Sequence, residues 1–142
     1  MLLFSLVIIY AYFLYSIPKQ IFYRMVGNLR IMSGNRSTLA YIESGRIMNA
    51  SRSTLGYFEN GTVMNASRST IGYISGSTIM NSSRSTIGYV ERDCILSGSR
   101  STRFYIRGGR IERSNGSTIG YYDGSEDIKA LAAYIVFFSG WW

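Results

Sequence analysis

At 142 residues the chain has room for one domain and short end segments. Fifteen Lys and Arg, thirteen of them Arg, against eight Asp and Glu give a formal charge of +7, which favours anionic partners such as acidic lipid, glycan or nucleic acid. With no His and a single Cys94, an internal disulfide, a cysteine zinc cluster and a Ser-His or Cys-His pair are all excluded.

The first segment, residues 1–17, reads "MLLFSLVIIYAYFLYSI" and carries no charge before Pro18-Lys19. Seventeen apolar residues are the short limit for crossing a bilayer. A cleaved leader needs basic residues before the apolar run and a small-residue site after it, and neither is present. The positives Lys19, Arg24 and Arg30 come after the run, an order that leaves the following domain on the cytoplasmic side of a spanning helix. Residues 1–22 therefore read as an apolar helix acting as a single membrane anchor. A helix docked on a cytoplasmic domain is the alternative.

Residues 23–129 are a sixteen-residue repeat. Tyr recurs at Tyr41, Tyr57, Tyr73, Tyr89, Tyr105 and Tyr121, and Arg at Arg36, Arg52, Arg68, Arg84 and Arg100, with Gly116 in the sixth place. "RIM" at 30–32 matches "RIM" at 46–48, so a partial copy precedes the first full one. Each copy reads as an antiparallel β-hairpin. In "STLGYFENGTVMNA", Asn60-Gly61 suits a two-residue turn with positive φ at both positions. That turn sets Tyr57 opposite Met64 and Phe58 opposite Val63. Ser44-Gly45, Gly76-Ser77, Arg92-Asp93 and Gly108-Gly109 occupy the same place, Arg92-Asp93 being the weakest turn signal. Two strands of about six residues each fill the unit. The Asn-x-Ser sequons of the links read as turn chemistry.

Alternation puts Leu55, Tyr57 and Met64 on one face and Phe58, Val63 and Gly56 on the other. A sheet apolar on both faces must be covered on both. Closing the hairpins around an axis covers one side, and the six tyrosines are read as a structural core of the repeat. The last segment, residues 130–142, has no charge and is too short to span a membrane. Its aromatic run suits packing into the repeat domain, and the strand glycines suit close approach by another backbone or a neighbouring ring.

The repeats "RSTIGYI", the glycine turns and the Ala-and-aromatic tail resemble the bacterial β-flower proteins. The resemblance implies an all-β fold of hairpins closed into a pseudo-symmetric, barrel-like flower with the tail inside. It implies no activity and supplies no catalytic residues. A β-solenoid, self-assembling in the manner of ice-nucleating repeats, is the alternative architecture. Against it, Ser and Thr are adjacent in each copy and so point to opposite faces.

For chemistry, most carboxylates fall at hairpin tips, where they are solvated turn residues, and no spacing pairs two for hydrolysis. No catalytic, cofactor-binding or metal-binding residue is assigned, and the chain reads as a non-enzymatic structural or binding module. Cys94 stands where neighbouring copies have Thr62 and Thr78, a neutral strand substitution. Two sets of residues remain as anion-binding candidates. The first is the ladder Arg36, Arg52, Arg68, Arg84 and Arg100, which would ring the axis or stack on the tyrosines. The second is the fifth copy, "RSTRFYIRGGRIER", with Arg103, Arg107, Arg110 and Arg113 against Glu112. Acidic lipid, glycan and nucleic acid are the candidate partners, beside the membrane met by residues 1–17 and a second copy of the chain in a homo-oligomer.

Overall fold

The computed structural model describes residues 28–142. The apolar helix expected over 1–22, its anchor segment 1–17 and the first residues of the repeat domain lie outside the described residues. Among the described residues no helix is long and apolar enough to cross a membrane.

Five hairpins follow one another: β2 (Thr38–Glu43) with β3 (Arg46–Asn49), β4 (Thr54–Glu59) with β5 (Thr62–Asn65), β6 (Thr70–Ser75) with β7 (Thr78–Asn81), β8 (Thr86–Glu91) with β9 (Cys94–Ser97), and β10 (Thr102–Arg107) with β11 (Arg110–Arg113). A sixth unit is split. β1 (Leu29–Ser33) is the second strand of the pattern and pairs with β12 (Thr118–Gly124), its first strand, at the opposite end of the repeat domain. Among the described residues all twelve strands are antiparallel and close into one barrel, so none of these strands is left with an open edge. Antiparallel pairing throughout overturns the solenoid alternative.

Register within each hairpin is regular, with Tyr57 opposite Met64 and Phe58 opposite Val63. Between hairpins it slips by one residue. Ile47 faces Gly56, but Met48 faces Thr54, leaving Leu55 as the extra residue of a β-bulge. The same shift recurs at every junction between neighbouring units. A bulge adds twist and bend, and one per junction curves the sheet into closure. The second strands are four residues long rather than six, because the links take up the difference. The tip of each hairpin also holds its neighbour: the carbonyls of Gly45, Gly61, Ser77, Asp93 and Gly109 accept from the backbone N–H of Phe58, Ile74, Val90, Ile106 and Tyr122 at 2.7–2.9 Å.

Eight strands already make a barrel just wide enough for side chains to fill. Twelve leave a lumen that side chains alone do not close. α1 (Ile128–Phe137) occupies it. Asp127 caps the helix, accepting from the N–H of Lys129 at 3.0 Å and of Ala130 at 3.2 Å. Residues Ala130 to Ile135 are all buried, which places α1 inside apolar surroundings on every side rather than on a surface. Three of those six residues are Ala, which keeps the helix slim enough for the lumen. Around it lie Ile31, Ile47, Val63, Ile79, Ile95 and Ile111 from the second strands, together with Ala40, Ile42, Ile74, Val90, Phe104 and Ile106 from the first.

After the helix, the aromatic tail meets the strands where the repeat has glycine. A Cβ on Gly72 would stand 2.3 Å from Phe137 Cζ, one on Gly56 2.5 Å from Phe138 Cζ, and ones on Gly88 and Gly120 2.9 Å from the Cη2 atoms of Trp142 and Trp141. The missing side chains make room for the rings. In the fifth hairpin Phe104 fills this position and stacks on Trp142, centroids 6.4 Å apart. β12 therefore runs toward the hairpin tips, and α1 returns through the lumen toward the links.

The tyrosines stand elsewhere. All six are half-buried on the outer face and outside the cluster that fills the lumen, whereas the sequence reading took them as a mostly buried structural core of the repeat. Alternation was followed correctly, but the face carrying Tyr57 and Met64 is the outside of the barrel, and its cover comes from the links.

Candidate anion-binding face

Each link is a tight turn closed by its own side chains. Asn49 Oδ1 accepts from the N–H of Ser51 and of Ser53 at 3.0 Å each, and Asn65 and Asn81 repeat the arrangement. The Arg52 N–H donates to Asn49 O at 3.0 Å, and Asn49 N–H to Ser53 O at 2.9 Å. This is a type I turn followed by one left-handed residue, a position that favours glycine. The ladder arginines occupy it: φ is 66° at Arg36, 65° at Arg84 and 64° at Arg52, Arg68 and Arg100. Gly116, at φ 85°, is the sixth copy. Glycine in that copy is the unstrained choice, and the five arginines are the departures that need a reason.

The side chains supply it. Each guanidinium folds back over the tyrosine of the preceding unit's first strand. Arg52 lies 4.2 Å from the Tyr41 ring centroid, Arg68 3.9 Å from Tyr57, Arg84 4.1 Å from Tyr73, Arg100 3.9 Å from Tyr89, and Arg36 3.9 Å from Tyr121 across the closing seam. The sixth tyrosine, Tyr105, should lack a cation because Gly116 replaces its arginine. Arg107 covers it instead, at 4.5 Å, from the tip of the same strand. Six tyrosines thus carry six guanidiniums, worth about 0.5–1 kcal/mol each at exposed sites.

A second ladder runs beside the first. The residue two after each tyrosine is Glu43, Glu59, Ser75, Glu91, Arg107 and Asp123 in turn. Arg52 meets Glu43 at 2.9 Å, Arg68 meets Glu59 at 3.5 Å and Arg100 meets Glu91 at 3.7 Å. Arg84, opposite Ser75, forms no ion pair among the described residues. In the fifth hairpin Arg107 takes the glutamate place, and Gly116 takes the arginine place, so two like charges never meet there. Glu112, 6% exposed, stands opposite Tyr105 where other units have Met or Leu, and pairs with Arg107 at 3.2 Å and Arg110 at 3.9 Å.

The remaining candidates divide. Arg103, at the bulge position of β10, reaches over the Trp142 ring at 5.0 Å, while Arg113 opens the next link and is exposed. Arg30, which the sequence reading left out of the binding candidates, lies on the same face and donates from Nε to Thr38 Oγ1 at 2.8 Å. Its signal was present in the "RIM" match, because Arg46 repeats the bond to Thr54 at 2.7 Å. Cys94 is buried and free. Burial, with Asp93 and Glu91 nearby, pushes its thiol above the ordinary value, so it is a poor nucleophile. No group of His, Cys, Asp and Glu among the described residues could hold a metal ion.

The family model of a 5-fold β-flower protein matches residues 26–139. The chain belongs to the β-flower family. Its five continuous hairpins are complete petals, and β12 with β1 makes a sixth petal from the two ends of the domain. Comparison with curated proteins and with solved structures gives no match.

Proposed function

We propose that this β-flower is a non-catalytic binding module, held at a membrane through residues 1–17, that presents one basic side to an anionic surface. The observation that carries the reading is the uneven neutralisation of the outer ring. Petals β2–β3, β4–β5 and β8–β9 each set a glutamate against their arginine. The arc from β10 to β1 instead holds Arg103, Arg107, Arg110, Arg113, Arg30 and Arg36 against Glu112, Asp123 and the Glu126 that follows β12 beside Arg107. Stacking on tyrosine also fixes guanidiniums without burying them: the Arg68 side chain remains 56% exposed and that of Arg100 62%. A pre-ordered cation loses little freedom on meeting a phosphate or carboxylate. β1 begins at the tip end of the barrel, so a tether entering there turns the tips, with Arg92, Arg107 and Arg110, toward the bilayer. Acidic lipid supplies the matching charge, at about 1 kcal/mol per surface cation.

Apart from Arg36, which belongs to both, the ladder in this reading is structural and the basic arc binds. Fractionation of the native cells tests the anchor: extraction requiring detergent supports it, and release by alkaline carbonate alone refutes it. Retention on phosphatidylglycerol vesicles tests the arc. Arg103→Gln, Arg107→Gln and Arg113→Gln together should weaken retention relative to phosphatidylcholine vesicles, while Arg52→Gln, Arg68→Gln and Arg84→Gln together should lower the melting temperature and keep it. The reverse pattern would move binding to the ladder.

A further inference from the structure

Among the described residues, the sixth petal alone is assembled from distant segments, and a cleft opens on its outer face. A cleft of about 610 Å³ lies between the Gly108–Gly109 turn and the paired strands β12 and β1. Arg30, Arg36 and Arg110 line it with Asp123 and Tyr121. Asp123 stands opposite Arg30 and Arg110 opposite Tyr121 in the register, and Arg36 covers the Tyr121 ring at 3.9 Å. Three guanidiniums therefore converge with one carboxylate. The turn that walls the cleft has no side chain to close it.

The repeat provides its own control. The neighbouring petal β2–β3 has the same three arginines, Arg30, Arg46 and Arg52, around Tyr41. There Glu43 reaches Arg52 at 2.9 Å. In the sixth petal the equivalent carboxylate is one methylene shorter, and Asp123 makes no ion pair with Arg36 among the described residues. The shorter acid leaves the ladder arginine Arg36 at the cleft without an ion pair among the described residues, while Arg30 keeps its Nε bond to Thr38 at 2.8 Å and Arg110 its long pair with Glu112 at 3.9 Å.

We propose that this seam cleft is a binding site for a phosphate ester that also carries hydroxyl groups. Three guanidiniums against Asp123 and the Glu112 that Arg110 shares leave a positive local charge that a phosphate ester anion offsets. Arg forks match phosphate oxygens in pairs, and Asp123 is placed to accept from a hydroxyl on the same ligand. The site deepens the anionic-surface reading, but it rests on Asp123, Arg30, Arg36 and Arg110 and does not require the anchor.

The test uses the full chain in zwitterionic detergent micelles, titrated calorimetrically with glycerol 3-phosphate. A second arm compares binding to phosphatidylcholine vesicles with and without phosphatidylglycerol. Saturable uptake of the free ester assigns a soluble ligand, and a phosphatidylglycerol-dependent gain without it assigns a lipid headgroup. Asp123→Glu keeps the charge and installs the neighbouring petal's ion pair. It should cut affinity in the responding arm at least tenfold with an unchanged or higher melting temperature. Arg36→Gln should cut it as far, whereas Lys129→Gln, which removes the same charge away from the cleft, should change it less than twofold. Full affinity in Asp123→Glu, or saturation in neither arm, overturns the site. Since the titration arm needs no bilayer, its failure leaves the fractionation result standing, and failure of the fractionation leaves the titration standing.

Discussion

Replacing Arg84 by Ala and, separately, by Gly divides what its side chain does from what its backbone suffers. Arg84 sits at φ 65° and stacks on Tyr73 at 4.1 Å, with Ser75 in the place of an acidic partner. A left-handed residue bearing a Cβ costs roughly 1–2 kcal/mol, and a solvent-exposed cation–π contact returns about 0.5–1 kcal/mol. Ala keeps the strain and loses the contact, so Arg84→Ala should destabilise by about 0.5–1 kcal/mol. Gly loses the contact and relieves the strain, offset in part by its greater freedom in the unfolded chain. Arg84→Gly should therefore lie within about 0.5 kcal/mol of the parent. The pair should differ by about 1 kcal/mol, or roughly 3–5 °C in melting temperature for a domain of this size. Urea unfolding followed by circular dichroism on the full chain reads the difference. The converse variant, Gly116→Arg, should cost about 1 kcal/mol or more, because it strains the turn and brings a cation to a tyrosine that Arg107 already covers. Ala and Gly variants that melt together would show that the turn is not strained, and the explanation of Gly116 would fall with it.

Gly72→Ala should destabilise by about 1–3 kcal/mol, as overpacking does. Its Cβ would stand 2.7 Å from Met80 O as well as against Phe137, so Phe137→Leu should restore only part of the loss, and a neutral Gly72→Ala would place the ring elsewhere. Deleting residues 130–142 empties the lumen and should give an aggregating or molten species; a monomeric, cooperatively melting truncation would refute the plug. Tyr73→Ala should cost about 1–2 kcal/mol in denaturant unfolding, less than the roughly 3–5 kcal/mol of a core aromatic, because its ring is half-buried. Stability should fall above about pH 9–10. Burial raises both the Cys94 thiol and the Tyr134 phenol from their ordinary values of 9.0 and 10.0, so the unfolded chain releases these protons first and gains from rising pH. Tyr134→Phe and Cys94→Thr should flatten that slope, and an unchanged slope in the double variant would count against it.

The hairpins were legible because their signals are local. Asn60-Gly61 and its equivalents state the turn, and period-two alternation states the pairing of Tyr57 with Met64. The tail was legible from composition alone, since an uncharged aromatic run must be covered, but that its rings lie against the strand glycines needed the structure. Which face is the inside was not legible. Both faces are apolar, and the deciding fact is the bulge at Leu55 and its repeats, which curves the sheet toward Phe58 and Val63. No residue type announces that bulge, because it holds Leu39, Leu55, Ile71, Ile87, Arg103 and Ile119 alike. The count of petals was hidden for a related reason. The sixth is made by two segments far apart in sequence, and only the "RIM" at 30–32 hinted at it. The arginine ladder was visible as a period, while the backbone reason for Gly116 needed the dihedral angle.

A repeat protein carries several solutions to one local problem in a single chain, and its departures from pattern sort by whether they are compensated. Arg107 in a glutamate place would be a defect alone. It arrives with Gly116, which removes the opposing arginine, and with Glu112, which pairs it from across the strand, so the tyrosine keeps its cation and the charges keep their partners. Such a set preserves structure by another route, so the departure of Arg107 from the pattern needs no functional reason even where its charge adds to the basic arc. Asp123 differs. One methylene is lost, no neighbouring residue lengthens to meet Arg36, and three guanidiniums are left around a cleft. On the proposal above, Arg36 stands beside Arg30 and Arg110 without the carboxylate that Glu43 gives Arg52 one petal away, and the repulsion it feels there is what a glutamate would have relieved. An anion bound there removes the repulsion, and its binding then includes the stability the petal lacks when empty. The physical signature of that coupling is a melting temperature that rises with phosphate ester in the parent chain and stays flat in Asp123→Glu.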